Sequence, residues 1–265
     1  MAFNNQRIIL TGASQGIGEA MAKQLAAEGA HLALADVNID GLKRVADVCR
    51  ASGVEVLEIP TEISQREQCR ALIDRTVGEW GTIDAFFSVA GISMWSKFED
   101  VTDISFFEQL MAVNYLGPLY CTYYALPHLK KSRGKIVVVT SSSGKVSAPL
   151  HSGYAASKHA LHGFFDALRT ELTGTGIQIT LSVPLFVRTA IRLHGFQGDG
   201  THPNEDPYDD SGSMTPEQAA RFTIRAARAG KREVVMTLEL KAAVKLRPFI
   251  PGIVDYFARQ KVGLK

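Results

Sequence analysis

Ile8-Ile9-Leu10-Thr11-Gly12-Ala13-Ser14-Gln15-Gly16-Ile17-Gly18-Glu19-Ala20-Met21-Ala22-Lys23-Gln24-Leu25-Ala26-Ala27-Glu28-Gly29 reads as strand, turn and helix. A short apolar run from Arg7 leads into a turn holding three glycines, and an amphipathic segment closed by Gly29 follows. Glycines let a backbone turn sharply and come close to a pyrophosphate, whose charge the amides and positive end of the next helix can hold. The spacing is Gly-x-x-x-Gly-x-Gly, not the commoner Gly-x-Gly-x-x-Gly, so the match is to the mechanism rather than to that pattern. A glycine turn also serves purely structural ends, and this one needs support from the rest of the chain.

The second strand, His31-Leu32-Ala33-Leu34-Ala35, ends at Asp36. A carboxylate there can accept hydrogen bonds from adenosine ribose hydroxyls and repels a 2′-phosphate. No arginine or lysine follows it directly or sits in the glycine turn, which favours NAD while leaving NADP possible. Asp36 can equally cap the helix that begins near Ile39. Helices near 39–51 and 65–80 alternate with strands at 54–59 and 83–89. Further strands follow at 135–141, 177–183 and 233–236. Such alternation predicts parallel pairing through right-handed crossovers, with helices on both faces of one sheet. Ligands then belong at the carboxyl edge of the strands, where Glu62-Ile63, Ala90-Gly91 and Ser141 stand. The first two pairs fit adenine and ribose walls or ordinary loops.

Ser152-Gly153-Tyr154-Ala155-Ala156-Ser157-Lys158 places a phenol and an ammonium four residues apart, on one face of a helix. A phenol titrating near 10 is a poor base at neutrality. A cation about 4 Å away is worth roughly 4 kcal/mol at an effective dielectric of about 20, enough to lower the phenol by up to about three units. The β-branched strand 135–141 delivers Ser141 thirteen residues before Tyr154, so hydroxyls from both can hydrogen-bond one carbonyl oxygen. Ser142 and Ser143 compete with Ser141 on spacing alone. Asn114 lies inside a long helical stretch, 104–129, where asparagine marks a buried polar network or a helix irregularity. His151, His159 and His162 fall on different helix faces and predict no ligand set, although His151 can reach substrate.

Residues 188–214 hold four glycines, two prolines and several acids with little apolar periodicity. They predict a long mobile loop, either a substrate lid or a surface insertion. Thr215 and Pro216 open another helix as N-cap and first-turn proline. The tail, 238–265, forms two short amphipathic helices broken around Pro248 and Pro251. Lys241, Lys245, Arg247, Arg259 and Lys261 lie among its apolar residues. It can pack on the body or a second subunit and wall the substrate cleft, or lie on an anionic membrane surface.

With 265 residues, 46% hydrophobic and 21% charged, the chain has the material for a substantial core. A net charge of +2 without a long basic run gives no footprint for nucleic acid. Cys49, Cys69 and Cys121 are far apart and show no metal or redox spacing. The first residues carry no apolar signal core and no stretch reaches the length of a membrane span, so a cytoplasmic protein is expected.

Thr11 to Gly18, with Asn114, Ser141, Tyr154 and Lys158, resemble the short-chain dehydrogenase/reductase family in order and spacing over about residues 6–236. The segment after Arg232 also resembles, more loosely, the 11β-hydroxysteroid dehydrogenase-like subgroup. The resemblance implies a single NAD(P)-binding Rossmann domain over 1–265, a doubly wound α/β fold with a seven-stranded parallel sheet. It implies Tyr154 as general acid/base and Lys158 as the group that lowers its pKa and binds the nicotinamide ribose. Ser141 would polarise the carbonyl and Asn114 would hold a water. Cofactor contacts are implied for Gly12, Ser14, Gln15, Gly16, Ile17, Gly18, Asp36, Glu62, Ile63, Ala90, Gly91, Pro184, Val187 and Thr189, besides Tyr154 and Lys158. The implied activity interconverts a secondary alcohol and a ketone, and Met94, Trp95, Phe98 and the apolar tail point to a lipophilic substrate. A silent dinucleotide-binding sensor is the rival reading, and a homodimer or homotetramer through the helices of Asn114 and Tyr154 is the implied assembly. Two departures from the family pattern stand out. Ser88-Val89-Ala90-Gly91 replaces Asn-Asn-Ala-Gly, and Leu185 follows Pro184 where glycine is usual.

Overall fold

The computed structural model describes residues 3–205 and 212–264. Among them seven strands pair in parallel in the order β3-β2-β1-β4-β5-β6-β7. The strands are β1 (Arg7–Thr11), β2 (His31–Asp36), β3 (Val56–Pro60), β4 (Ala85–Ser88), β5 (Lys135–Val139), β6 (Gln178–Val183) and β7 (Glu233–Val235). Between them run α1 (Gly16–Ala27), α2 (Ile39–Arg50), α3 (Arg66–Trp80), α4 (Ser105–Met111), α5 (Gly117–Ser132), α6 (Ser152–Glu171) and α7 (Pro216–Arg228). Two more helices, α8 (Leu238–Leu246) and α9 (Pro251–Lys261), follow the last strand.

Strand side chains alternate between faces, and the core divides accordingly. Ile8, Leu10, Leu32, Leu34, Phe87 and Val137 pack on one side with residues of α1, α2 and α7. Ile9, Ala33, Phe86, Ile136 and Val138 pack on the other with α3, α5 and α6. Near-continuous apolar strands are what a sheet covered on both faces requires. The strand order reverses direction between β1 and β4, which opens a crevice at their carboxyl ends.

Local chemistry accounts for the helix starts. Asn38 caps α2, its side chain accepting from the Gly41 amide, so the capping role offered to Asp36 falls to its neighbour. Thr215 and Gln218 form a reciprocal capping box at α7. The single helix expected over 104–129 is instead α4, a π-helical turn at Ala112–Leu116, and α5. Most strands are shorter than the apolar runs suggested by one to three residues, whereas β2 extends one further to Asp36, since apolar runs continue past the paired residues.

Candidate active site

A cavity of about 840 Å³ lies along the carboxyl edge of the sheet. At its floor is the turn between β1 and α1. Gly12 has φ +71°, and a Cβ there would sit 2.6 Å from the Ala90 amide nitrogen. At Gly18 a Cβ would fall 1.8 Å from the Gly12 carbonyl oxygen, which no side chain survives. Bare backbone is therefore packed between β1, α1 and the end of β4, leaving the N-terminus of α1 open to the cavity. Gly12, Gln15, Gly16, Ile17 and Gly18 line this part. Ser14 is turned inward, 1% exposed, with its hydroxyl unpartnered, so it does not reach the cavity wall.

Asp36 lines the same end, and its carboxylate accepts from the amides of Ser14 and Asn38, both at 3.0 Å. Glu62, Ile63, Ala90 and Gly91 form the wall beyond it, and Pro184, Val187 and Thr189 the opposite side. Arg44 was not flagged by spacing. From α2 it donates to the Ser14 carbonyl oxygen at 3.0 Å while Glu19 grips its guanidinium at 2.6 and 2.7 Å. That pairing, Arg44 first, brings the Glu19 carboxyl down to about 2 against the opposing effect of burial.

Helix α6 carries Tyr154 and Lys158 into the middle of the cavity, 9% and 3% exposed. The ammonium lies 5.5 Å from the phenol ring centroid and donates to the Val139 carbonyl oxygen at 3.2 Å. Ser141 leads the 3₁₀ turn Ser142–Gly144, and its hydroxyl accepts from the Ser143 amide at 3.2 Å. Of the three candidate serines it is Ser141 whose hydroxyl acts on Tyr154. Burial raises the phenol pKa and Ser141 pulls it partly back, while burial lowers Lys158 to about 8. Desolvation thus works against both charges, so in this structure the phenol keeps its proton. The lowering expected from the neighbouring ammonium does not appear, and Ser141 alone opposes the effect of burial.

Asn114 does not line the cavity. It stands behind Gly91 in the π-helical turn, wholly buried. Its amide donates to the Ile92 carbonyl and the Ser157 hydroxyl at 2.9 and 3.0 Å and its oxygen accepts from the Ile92 amide at 2.9 Å. Both donors are committed, and one oxygen lone pair remains for a water beside Lys158. Both alternatives read from the sequence hold, since the residue is a network member within an irregular helix.

The two departures from the family pattern have local answers. Val89 packs into the core beside α1 and its amide donates to the Thr11 hydroxyl at 3.3 Å, tying β4 to β1. Leu185 joins Val146, Val183, Leu240 and Val254 in an apolar cluster between the sheet end and the tail. Leu240, Leu246, Ile250, Val254 and Phe257 of the tail line the cavity directly. His151 also lines it, its ring 5.0 Å from Trp95 and 6.0 Å from Tyr154, with a pKa lowered chiefly by burial. Arg192, 8% exposed, is a further wall residue that the featureless composition of its loop concealed.

Residues 206–211 of the expected lid lie outside the described residues. The part before them is fastened to the segment after β4. The Phe196 amide donates to the Ser93 carbonyl, its own carbonyl accepts from the Trp95 amide, and its ring stacks on Phe106 at 5.1 Å. The far end is held where Val187 bridges Met214. Among the described residues no cluster of three or more His, Cys, Asp or Glu is placed to hold a metal, and no helix is long and apolar enough to cross a membrane.

A parallel sheet with this order, a glycine turn feeding the amino end of α1 and an acidic residue closing β2 define a dinucleotide-binding α/β protein. The sequence profile of the short chain dehydrogenase family matches residues 6–197, and the chain belongs to that family. It is 36% identical over 258 residues to 11-beta-hydroxysteroid dehydrogenase A of Sesamum indicum, covering 95% of this chain and 74% of that protein. To 11-beta-hydroxysteroid dehydrogenase-like 3 of Arabidopsis thaliana it is 37% identical over 251 residues, covering 94% and 79%. A short chain dehydrogenase/reductase from Burkholderia phymatum, solved in complex with NAD, superposes with a TM-score of 0.84 over 96% of each chain at 25% identity. An alcohol dehydrogenase from Thermococcus sibiricus shares the fold, with a TM-score of 0.74 at 24% identity over 88% of this chain and 96% of that one. The chain is an oxidoreductase that works with a nicotinamide dinucleotide. The turn fits such a group, since the close backbone packing at Gly12 and Gly18 leaves the amino end of α1 bare toward the cavity.

Proposed function

We propose that the protein interconverts a secondary alcohol and a ketone on a lipophilic substrate, with Tyr154, Ser141, Lys158 and Asn114 as its working residues. The supporting observation is one buried phenol on the cavity wall with an ammonium one helical turn away and a serine hydroxyl against it. The bound dinucleotide supplies or accepts the hydride. Tyr154, protonated because it is buried, gives its proton to the substrate oxygen in reduction and takes it back in oxidation. Ser141 donates a hydrogen bond to that oxygen and fixes the carbonyl. Lys158 places positive charge beneath the phenol ring, and the free lone pair of Asn114 positions a water for proton exchange. Trp95, Val146, Leu185, Leu240 and Val254 keep bulk water from the reacting oxygen and suit an apolar substrate.

Tyr154→Phe is expected to abolish turnover across a panel of alcohols and ketones followed at 340 nm, with dinucleotide affinity nearly unchanged. Full turnover in that variant would remove the mechanism. NAD is the proposed cofactor because Asp36 faces the cavity and Arg44 is already engaged by Glu19. Titration with NADH and NADPH should show tighter NADH binding, and Asp36→Ser should narrow the gap. Contact of the outer tail face with an anionic membrane surface belongs to the same reading, as a route for a lipophilic substrate.

A further inference from the structure

The turn that presents Ser141 is held by groups with no place in the chemistry above. Gly144 presses so closely on α6 that a Cβ would lie 2.9 Å from both His162 Cδ2 and the Lys158 carbonyl oxygen. The next residue, Lys145, makes two attachments to distant elements. Its ammonium pairs with Glu233 of the edge strand β7 at 2.5 Å, and its carbonyl accepts from Arg247, the residue that closes α8, at 2.7 Å. The same Glu233 oxygen stands 3.7 Å from His162 Nδ1. His162 is 7% exposed, and neither ring nitrogen has a hydrogen-bond partner among the described residues. Lys145 is not among the residues lining the cavity, so it meets neither substrate nor dinucleotide.

We propose that Lys145 is a positioning residue: by occupying Glu233 and fastening the backbone after Gly144, it holds the Ser141 turn against α6 and leaves His162 without a counter-ion. The inference rests on the reading of Ser141 given above and adds a residue to it. A buried imidazole with no acceptor for its protons avoids charge, and its pKa is pushed down to about 3. Burial comes first among the causes and the charge of Lys145 next, with His159 and Lys158 adding to it and Asp166 opposing. Removing the ammonium strips Glu233 of its partner and exposes His162 to an unneutralised carboxylate. Both changes favour a proton on the ring. A charged ring drawn toward Glu233 would move the atom on which Gly144 rests, and Ser141 with it.

The test uses the full chain with Lys145→Met, Lys145→Arg, Glu233→Gln and the double variant Lys145→Met/Glu233→Gln. In the parent protein His162 stays neutral through neutrality, and the pH profile of kcat/KM carries no histidine limb from it. Lys145→Met should lower kcat about tenfold, with dinucleotide affinity unchanged, because a small displacement of a reacting group costs that much or more. It should also gain an acid limb, falling as pH drops through about 6, the range of a histidine beside a carboxylate. Lys145→Arg should restore both properties. Glu233→Gln should lower kcat without the limb, and the double variant should lack the limb too. The proton NMR signal of the His162 ring, assigned with His162→Asn, should titrate above about pH 5 only in Lys145→Met. This readout needs no turnover, so it separates failure of this inference from failure of the catalytic reading. Parallel pH profiles for the parent and Lys145→Met, or a His162 signal that does not move in that variant, would overturn the proposal.

Discussion

Lys158 shows how one buried side chain sets function against stability. Burial lowers its pKa from 10.5 to about 8, so the fold disfavours the proton that the unfolded chain keeps. Below pH 8 both states are charged and folding carries the whole penalty, about 3 kcal/mol for that shift. As pH rises from 8 to 10.5 the folded form is neutral while the unfolded one still binds the proton, and stability climbs by the same amount. Lys158→Met should therefore melt above the parent at pH 7, with a gap that closes over that interval, while turnover falls by about two orders of magnitude or more. A variant melting below the parent at neutral pH would contradict this account. The pairing of Tyr154 with Lys158 was legible because helical period alone puts them on one face. The balance of charge and burial was not legible, since desolvation depends on residues far away in the chain. Nor did spacing choose among Ser141, Ser142 and Ser143, because which hydroxyl reaches Tyr154 depends on how the chain turns after β5.

The π-helical turn between α4 and α5 has a defined purpose in the packing. Its extra residue places Asn114 against the segment after β4, where three hydrogen bonds join it to Ile92 and Ser157. Asn114→Ala would take the partner from the amide and carbonyl of half-buried Ile92, a loss of about 1 kcal/mol for each hydrogen bond. A urea denaturation midpoint lowered accordingly, with an unchanged slope, is the expected result; an unmoved midpoint would show that water replaces the amide without loss. Periodicity gave the helix, and its irregularity was signalled only by the presence of Asn114, because a single inserted residue barely disturbs an apolar pattern. Residues 188–205 escaped the same reading. Phe196 finds its partners in Ser93, Trp95 and Phe106, about a hundred positions away, and no local pattern announces a contact of that kind.

Helices α8 and α9 roof the cavity, and their two faces answer to different surroundings. Inward, Leu240 and Val254 pack on Val146 and Leu185, Arg247 holds Lys145, Asp255 accepts from the Ser147 hydroxyl, and Lys261 lies over Phe186. Outward, Leu238 and Phe249 are each 82% exposed and Tyr256 is exposed too, while Ile253 and Phe257 are exposed at the cavity rim. The tail's amphipathic character was legible in the sequence, but which residues faced the body depended on the shape of the sheet end. Along 238–264 five cations stand against two carboxylates, and Lys241 and Lys245 flank the outer stripe. Two copies joined about a twofold axis through this face would bring like charges together, whereas an anionic bilayer would attract them. The protein is therefore expected to float with phosphatidylcholine vesicles that contain phosphatidylserine, to stay behind with pure phosphatidylcholine, and to be released by salt. Each lysine near such a surface is worth about 1 kcal/mol, so Lys241→Gln with Lys245→Gln should weaken binding about thirtyfold. Leu238 and Phe249 do not line the cavity, so Leu238→Glu with Phe249→Glu should abolish flotation and spare turnover of a water-soluble alcohol. A parent protein that ignores anionic vesicles, or a double glutamate variant that only changes oligomer size in light scattering, would assign the exposed face to a second copy of the chain instead.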